Sequence, residues 1–152
     1  MNMGKGIGMS VSLKCQYGLR ALFELTKRYG DGLVGIPEIA EAQAIPQRFL
    51  ENIMNQLRQG GFVESKRGKG GGFVLARSPE AVTVGDIVSF IDGGIYDVEC
   101  VGDRPIHQCR LKGSCVFLPV WLEAKAALEA VYHSRTLQDL VRDDMVEVRR
   151  KV

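Results

Sequence analysis

Residues 36–76 are the most constraining stretch of the chain, because they predict two helices, a tight turn and a two-stranded hairpin in close succession. From Pro46 onward, apolar residues recur at the spacing of one helix face, which predicts a helix with a buried stripe. That stripe consists of Phe49, Leu50, Ile53, Met54 and Leu57. Pro46 suits the first helical turn, and Gly60 and Gly61 predict where the helix ends.

The opposite face of the same helix is rich in amides and arginine. Its polar side chains are Gln47, Arg48, Glu51, Asn52, Asn55 and Arg58. A face that is merely solvated usually carries Lys and Glu pairs, whereas amides and guanidinium groups hydrogen-bond base edges in the major groove. A short helix at 37–42 and a turn at 43–45 precede it, so the arrangement predicts a helix-turn-helix.

Residues 62–66 and 73–76 predict two strands that pair around the glycine-rich tip at 67–72. Glycine-rich loops can also hold nucleotide phosphates, but such loops open a helix and end in G-K-[ST], whereas this one leads into a strand. The tip carries the cations Lys66, Arg67 and Lys69, which fit a DNA backbone or a narrow minor groove. We therefore interpret the hairpin as the wing of a winged helix-turn-helix.

Length and composition limit the remaining possibilities. At 152 residues, the chain suits one compact domain with an extension. The net charge of +2 is too small for a general polyanion binder, so DNA affinity has to come from local basic clusters. No apolar run approaches ~20 residues, and the glycine-rich residues 1–8 lack the apolar core of a secretory signal. We expect a cytoplasmic protein without a membrane span, with a disordered extension at 1–8.

Further helices are predicted on both sides of this unit. Ser12 caps a first helix that runs to about residue 29, with Tyr17, Leu19, Leu22, Phe23 and Leu25 on its buried side. Thr83 caps a short helix at 84–91, which closes a predicted DNA-binding domain at 9–94.

A second long helix is predicted at 116–134. Its apolar stripe consists of Phe117, Val120, Trp121, Ala124, Leu128 and Val131. This stripe is too apolar for a lone surface helix in so small a domain, so we predict that it packs against a twin helix. Thr136 caps a short last helix at 137–141, and the charged tail that follows is predicted to fray. These elements divide into a dimerisation region at 116–144 and a tail at 145–152.

The loop at 95–115 is too long for a simple connection and contains Cys100, Cys109 and Cys115. Structural zinc sites usually show close C-x2-4-C pairs, which are missing here, whereas wider spacing can wrap an iron–sulfur cluster. The spacing alone leaves open a cluster, a zinc ion, or a set of redox-active or idle thiols. The candidates for a fourth ligand are Cys15, Gln16, His107, solvent or a small thiol.

Several motifs occur together in the order of a known family. These are the 9–22 segment, Ile39-Ala40, Phe49-Leu50-Glu51, the 67–73 run, the 83–88 run, the three-cysteine loop, Trp121 and the 136–140 run. Over about residues 9–144 the chain resembles the iron–sulfur cluster regulator family. This family comprises bacterial winged-helix repressors that include the cluster-assembly regulator and the nitric-oxide-sensitive repressor.

The resemblance implies a homodimer that is joined by the long helix after the cysteine loop and binds a palindromic operator in double-stranded DNA. It implies base contacts from Arg48, Glu51 and Asn52, a minor-groove contact from Arg67, and phosphate contacts from Lys14 and Tyr17. Together with the residues noted above, the predicted DNA-binding set is Lys14, Tyr17, Gln47, Arg48, Glu51, Asn52, Lys66, Arg67 and Lys69.

The resemblance also implies that the loop cysteines hold a [2Fe-2S] or [4Fe-4S] cluster that senses iron, nitric oxide or redox state. Three features depart from the family pattern. The spacing between Cys100 and Cys109 is longer, Leu118 replaces a histidine, and Gln16 stands where some relatives have a carboxylate ligand. The alternative is a cluster-free regulator of the same fold that is controlled by thiol oxidation, a small molecule or a partner protein.

An enzyme is the least favoured class. A catalytic cysteine needs a positioned base, and neither His107 nor His133 lies in a motif that would place it beside a cysteine. The predicted fold class is therefore mainly α with a small β wing. It combines a winged helix-turn-helix DNA-binding domain with a long dimerisation helix, in a transcription regulator that is not an enzyme.

Overall fold

The computed structural model of the chain describes residues 11–96, 98, 100–101, 109–111 and 113–151. The predicted extension at 1–8 and the candidate ligand His107 lie outside these residues. The described elements, in chain order, are α1 (Leu13–Lys27), α2 (Ile36–Gln43), α3 (Gln47–Gln59), β1 (Val63–Lys66), β2 (Gly72–Leu75), α4 (Val84–Asp92), α5 (Leu118–His133) and α6 (Leu137–Lys151).

Helix α1 is the centre of the fold and packs against α2, α3, α4, α6 and β2. It begins as predicted, because the Ser12 side chain accepts a hydrogen bond from the Cys15 N–H at 3.0 Å. The Ser12 hydroxyl also donates to the Asp92 carboxylate, which ties the start of α1 to the end of α4. On the predicted buried side, Leu22 and Leu25 are buried.

Three other members of that predicted side are only half-buried: Tyr17, Leu19 and Phe23. Tyr17 and Leu19 pack against the core from its edge, so the prediction is confirmed in part for them. They are not fully buried because smaller residues approach the neighbouring helices more closely. The small residues Cys15, Gly18 and Ala21 of α1 are buried instead. A small side chain lets two helix backbones come close together, and larger side chains then lie at the edges of the contact.

The helix-turn-helix is formed by α2 and α3, which are joined by a turn in which Ala44 adopts a left-handed backbone conformation (φ 50°). Most of the predicted stripe of α3 is buried, namely Leu50, Ile53, Met54 and Leu57. Phe49 departs from the prediction, since 47% of its surface is exposed. It lies one residue before Leu50, about 100° around the helix, at the edge of the stripe.

The wing consists of β1 and β2 in antiparallel register, with Val63 opposite Leu75. It is anchored to the segment before α2, because Val34 and Phe73 exchange backbone hydrogen bonds of 3.0 and 2.9 Å. Gly72 is required at this contact, since a Cβ there would lie 2.5 Å from the Val34 carbonyl oxygen. The predicted fold of helices with a small β wing is confirmed.

Helix α4 begins at Thr83 with a capping box, in which Thr83 and Asp86 exchange hydrogen bonds of 2.9 and 3.1 Å. Helix α5 packs on α4. Every residue of α5 from Leu118 to His133 is described, and none of them is buried. Its predicted apolar stripe is therefore incompletely covered within one chain.

Helix α6 corrects two predictions, a short helix at 137–141 and a frayed tail. Thr136 caps the helix as predicted, because the Asp139 N–H donates to its hydroxyl at 3.1 Å. The helix then continues to Lys151, well past the predicted domain boundary at 145. No Gly or Pro interrupts 137–151, and the basic last turn suits the negative end of the helix dipole. Among the described helices, none is both long and apolar enough to cross a membrane.

Candidate nucleic-acid interface and cysteine loop

The polar face of α3 lies on the surface of the molecule. All six of its predicted polar residues are exposed: Gln47, Arg48, Glu51, Asn52, Asn55 and Arg58. The buried stripe on the other side fixes the helix, so this face is rigid and accessible. The Arg48 guanidinium lies over the Phe49 ring, 4.7 Å from its centroid. A helix face of this kind can enter a major groove, which is wide enough to admit an α-helix.

Two grooves flank α3 and bring together most of the predicted DNA contacts. The first, of about 320 Å³, lies between α1 and α3 and is lined by Leu13, Lys14, Tyr17, Phe49, Asn52 and Ile53. The second, of about 300 Å³, lies between the start of α2, α3 and the wing, and its polar lining includes Asn55, Arg58, Ser65, Lys66 and Arg67. Lys69 is exposed at the tip of the wing.

The cations around these grooves are not paired with any acidic side chain that the structure describes. Within the described part of the chain, no carboxylate forms an ion pair with Lys14, Arg48, Lys66, Arg67 or Lys69. Cations elsewhere in the fold are paired, as Arg28 is with Glu38 at 2.8 Å. The positive charge beside α3 is therefore available to a polyanion such as a DNA backbone.

The position of α2 relative to α1 is held by the carboxylate of Glu24, which is only 2% exposed. It accepts hydrogen bonds from Gln43 on α2 at 2.8 Å, from Lys27 at 2.9 Å and from Arg28 at 3.0 Å. Burial by itself raises the pKa of Glu24, but these donors outweigh it, so that the pKa lies below its usual value. A buried charge that is fully paired in this way aligns the helix-turn-helix with the rest of the fold.

The four cysteines lie in different environments. Cys15 is completely buried, and this burial, with a smaller contribution from the Asp92 carboxylate, raises the pKa of its thiol to about 12. Cys100 and Cys109 are exposed and Cys115 is half-buried. Thiolates are the usual ligands of iron–sulfur clusters, so the loop residues fit such a group in their chemistry. Among the described residues, however, no three His, Cys, Asp or Glu side chains lie close enough together to hold a metal ion.

Two candidates for a fourth ligand can be located. Gln16 is exposed at the start of α1, where its Nε2 donates to the Val11 carbonyl oxygen at 3.0 Å. Cys15 faces the core and would have to leave it and lose a proton before it could bind a metal. Burial and the raised pKa therefore disfavour Cys15, whereas the side chain of Gln16 is accessible.

His133 contacts the start of α4, which the sequence does not predict. Its Nδ1 lies 3.0 Å from the Thr83 hydroxyl and 3.8 Å from an Asp86 carboxylate oxygen, at the start of α4. Gly85 packs against the imidazole, since a Cβ there would lie 2.5 Å from ring atoms. The contact fixes the end of α5 on α4. The Gly85 and His133 positions are 48 residues apart, so no local pattern indicates it.

Comparisons with known proteins identify the group to which this chain belongs. The family model of Rrf2, described as an iron-dependent transcriptional regulator, matches residues 11–143. This chain belongs to the Rrf2 family. The transcriptional regulator CymR of Bacillus subtilis (strain 168) is 35% identical over 132 residues, which cover 87% of this chain and 89% of CymR.

Two solved structures are similar to most of the chain. T. potens IscR has a TM-score of 0.72 and 33% sequence identity, and the match covers 91% of this chain and 90% of that protein. CymR (YrzC), described as the global cysteine regulator of B. subtilis, has a TM-score of 0.70 and 34% identity, with 86% of this chain and 95% of that protein covered. The Rrf2 assignment confirms a DNA-binding transcription regulator rather than an enzyme.

Proposed function

We propose that the chain is a homodimeric transcription repressor that binds a palindromic operator in bacterial cytoplasm and responds to an iron–sulfur cluster on its cysteine loop. The observation that carries this proposal is the presence of two distinct surfaces on the same chain. One is the exposed polar face of α3, flanked by cations that form no ion pair with a described carboxylate, and the other is the incompletely covered apolar stripe of α5.

The dimer is supported by the exposure of α5. On the predicted stripe, Phe117, Val120 and Val131 are each more than half exposed. An apolar row of this kind gains about 25 cal/mol per Å² when it is removed from water, so a second copy of the helix would stabilise it. Two-fold symmetry would give the dimer two α3 helices, and half-sites about 34 Å apart would permit simultaneous contact.

In this proposal α3 enters the major groove and the wing follows the backbone. Arg48, Glu51 and Asn52 read base edges, with Gln47 beside them at the start of the helix. Arg67 reaches the minor groove, where a guanidinium is attracted by the negative potential. The remaining predicted contacts are to phosphates and come from Lys14, Tyr17, Lys66 and Lys69.

A binding experiment tests these assignments. Operator duplexes are first selected from a randomised pool with the wild-type protein, and affinities are then measured at several salt concentrations. Asn52→Ala is expected to weaken binding about 10-fold and to relax the preference for one base. Arg67→Ala is expected to weaken binding and to flatten its salt dependence, because the guanidinium contributes mainly through electrostatic attraction to the minor groove. Arg135→Ala, an exposed arginine in the turn between α5 and α6, is the control. Wild-type affinity in both test variants would contradict the assignments.

The cluster would be held by Cys100, Cys109 and Cys115, with Gln16 or His107 as the fourth ligand. When bound, a cluster supplies iron–thiolate bonds whose stability depends on oxidation state and on competing ligands such as nitric oxide. The loop leads directly into α5, with one residue between Cys115 and Phe117. Binding of a cluster by these cysteines would therefore act on the helix that is proposed to set the spacing of the two DNA-reading surfaces.

The decisive measurement is a visible absorption spectrum, with iron and sulfide counts, on protein purified without oxygen. A brown protein with about equal iron and sulfide supports the cluster, and Gln16→Ala and His107→Ala then assign the fourth ligand. A colourless, iron-free protein after reconstitution contradicts it. The DNA-binding proposal is tested independently by the operator titrations.

Exposed thiols support a second candidate, a cluster-free regulator controlled by thiol oxidation, a small molecule or a partner protein. Cys100 and Cys109 are both accessible to oxidants. The relative CymR is described as a global cysteine regulator, which fits control by thiol chemistry or a thiol metabolite. If operator affinity of iron-free protein changes on mild oxidation and is restored by a reductant, and if Cys109→Ser abolishes the change, this candidate is favoured.

A further inference from the structure

Phe49 is the largest departure of α3 from its predicted pattern, because the ring lies at the surface and not in the core. It lines the groove between α1 and α3, together with Leu13, which is 60% exposed. Asn52 follows it by less than one turn, on the same side of the helix. An exposed apolar ring thus lies directly beside the predicted base-reading side chains.

The immediate surroundings of the ring are polar and basic. Lys14 and Tyr17 form the α1 side of the groove, and Arg48 lies over the ring of Phe49 at 4.7 Å. A protein helix docking here would bring a long apolar stripe against a short apolar patch with cations on its rim. A nucleotide matches the patch better, because it offers a small apolar group and an anionic phosphate only a few ångströms apart.

In the major groove, thymine is the base that presents a methyl group, and apolar side chains such as Phe recognise it by contact. We propose that Phe49 reads a thymine methyl group in each operator half-site, with the apolar groove beside it receiving that methyl. This inference rests on the proposed entry of α3 into the major groove. It adds a specificity-determining residue to a surface whose other predicted contacts are all polar.

Replacement of thymine by deoxyuridine tests the proposal, because the two bases differ in the methyl group alone. Each thymine of the selected operator is replaced in turn, at symmetric positions of both half-sites, and affinities for wild type are compared. At one position we expect a loss of about fourfold per half-site, the effect of one buried methyl group. Phe49→Ala should bind more weakly and should no longer distinguish thymine from deoxyuridine at that position.

Two further variants separate this role from others. Phe49→Leu keeps an apolar side chain and should retain part of the discrimination, while its thermal unfolding checks that the fold is intact. A ring that merely positions Arg48 would weaken binding on substitution but leave the thymine-to-deoxyuridine ratio unchanged. An unchanged ratio in Phe49→Ala therefore overturns the inference.

The outcomes also separate this inference from the proposed function. If Asn52→Ala weakens binding while no thymine replacement matters to wild type, α3 reads DNA but Phe49 does not read a methyl group. If neither Asn52→Ala nor Phe49→Ala affects binding, the placement of α3 in the groove has failed. If Phe49→Ala changes the oligomeric state and leaves the ratio unchanged, the groove is an interface between copies of the chain.

Discussion

Helices α1 and α5 have similar lengths, 15 and 16 residues, and both carry an apolar stripe, yet they end in opposite environments. In α1, seven residues are buried by the surrounding helices and the wing. In α5, which is described throughout from Leu118 to His133, no residue is buried. The comparison shows that periodicity specifies which face of a helix is apolar, but not whether the same chain or another chain covers it.

The largest expected effect comes from placing a charge on the exposed part of the apolar stripe of α5. Val131 is 61% exposed in one chain, so Val131→Glu should leave the fold of a single chain intact. If α5 pairs with a second copy, the buried carboxylate will disrupt the dimer and lower operator affinity on the order of 100-fold, since two linked half-sites are lost. Sedimentation and operator titration measure the two effects.

Ala126→Glu is the matched control for this substitution, because Ala126 is exposed on the other side of α5. We expect it to remain dimeric. A dimeric Val131→Glu variant with normal affinity would mean that the apolar face of α5 has another role.

Where the chain buries its own apolar side chains, a substitution is expected to lower folding stability instead. Leu57 is fully buried in the core formed by α1, α3 and the wing. Leu57→Ala should lower the free energy of unfolding by about 2–5 kcal/mol, measured in urea, because it leaves a cavity in a closely packed interior. Phe49→Ala, on the same helix but half exposed, should cost much less. Equal losses in the two variants would contradict the assignment of Phe49 to the surface.

Glu24 is a buried charged residue, and the partners of its carboxylate lie within the same chain. Glu24→Gln should cost about 1–3 kcal/mol at neutral pH, because donors on Lys27, Arg28 and Gln43 lose an ionised acceptor. The pKa of Glu24 is lowered in the folded state, so its stabilisation is present above about pH 4.5 and is lost as the pH falls through the lowered value.

Unfolding curves between pH 3 and pH 7 measure this effect, and the variant should show a flatter dependence than wild type. Glu38→Gln is the control, since Glu38 shares the partner Arg28 but its side chain is 59% exposed. A steeper acid dependence in Glu24→Gln than in wild type would contradict the predicted direction.

The smallest effect is expected at Cys15. Because its thiol is buried and its pKa is raised to about 12, Cys15→Ala should change stability by about 1 kcal/mol and leave the iron content of anaerobic preparations unchanged. Cys109→Ala, which removes an exposed thiol of the loop, should abolish any cluster. Loss of iron in the Cys15 variant would show that this thiol leaves the core to bind metal.

The parts of the fold that could be predicted are those with strong local signals. Ser12, Thr83 and Thr136 cap helices where the sequence places caps, and the glycine-rich tip joins two strands as expected. The length of α6 was also available locally, because no helix-breaking residue follows Thr136. The prediction of a charged tail is wrong here, because charged residues at helical spacing are compatible with a solvated helix.

Other features depend on contacts between distant segments. Phe49 satisfies the apolar period of α3, and its exposure follows from where α1 crosses that helix. His133 contacts α4 across 50 residues of sequence. The spacing of Cys100, Cys109 and Cys115 identifies a set of thiols, but it does not specify whether they meet, because a loop of this length can adopt many conformations.

The sequence by itself determined the helix-turn-helix, the wing, the polar face of α3 and the family. These depend on backbone preferences and apolar periodicity, which act over a few residues. The tertiary structure alone decided that Cys15 is buried, that Phe49 lies at the surface and that the apolar stripe of α5 is incompletely covered within one chain. Burial depends on which segments pack together, and that is settled by the shape and volume of the whole core and not by any one stretch of the chain.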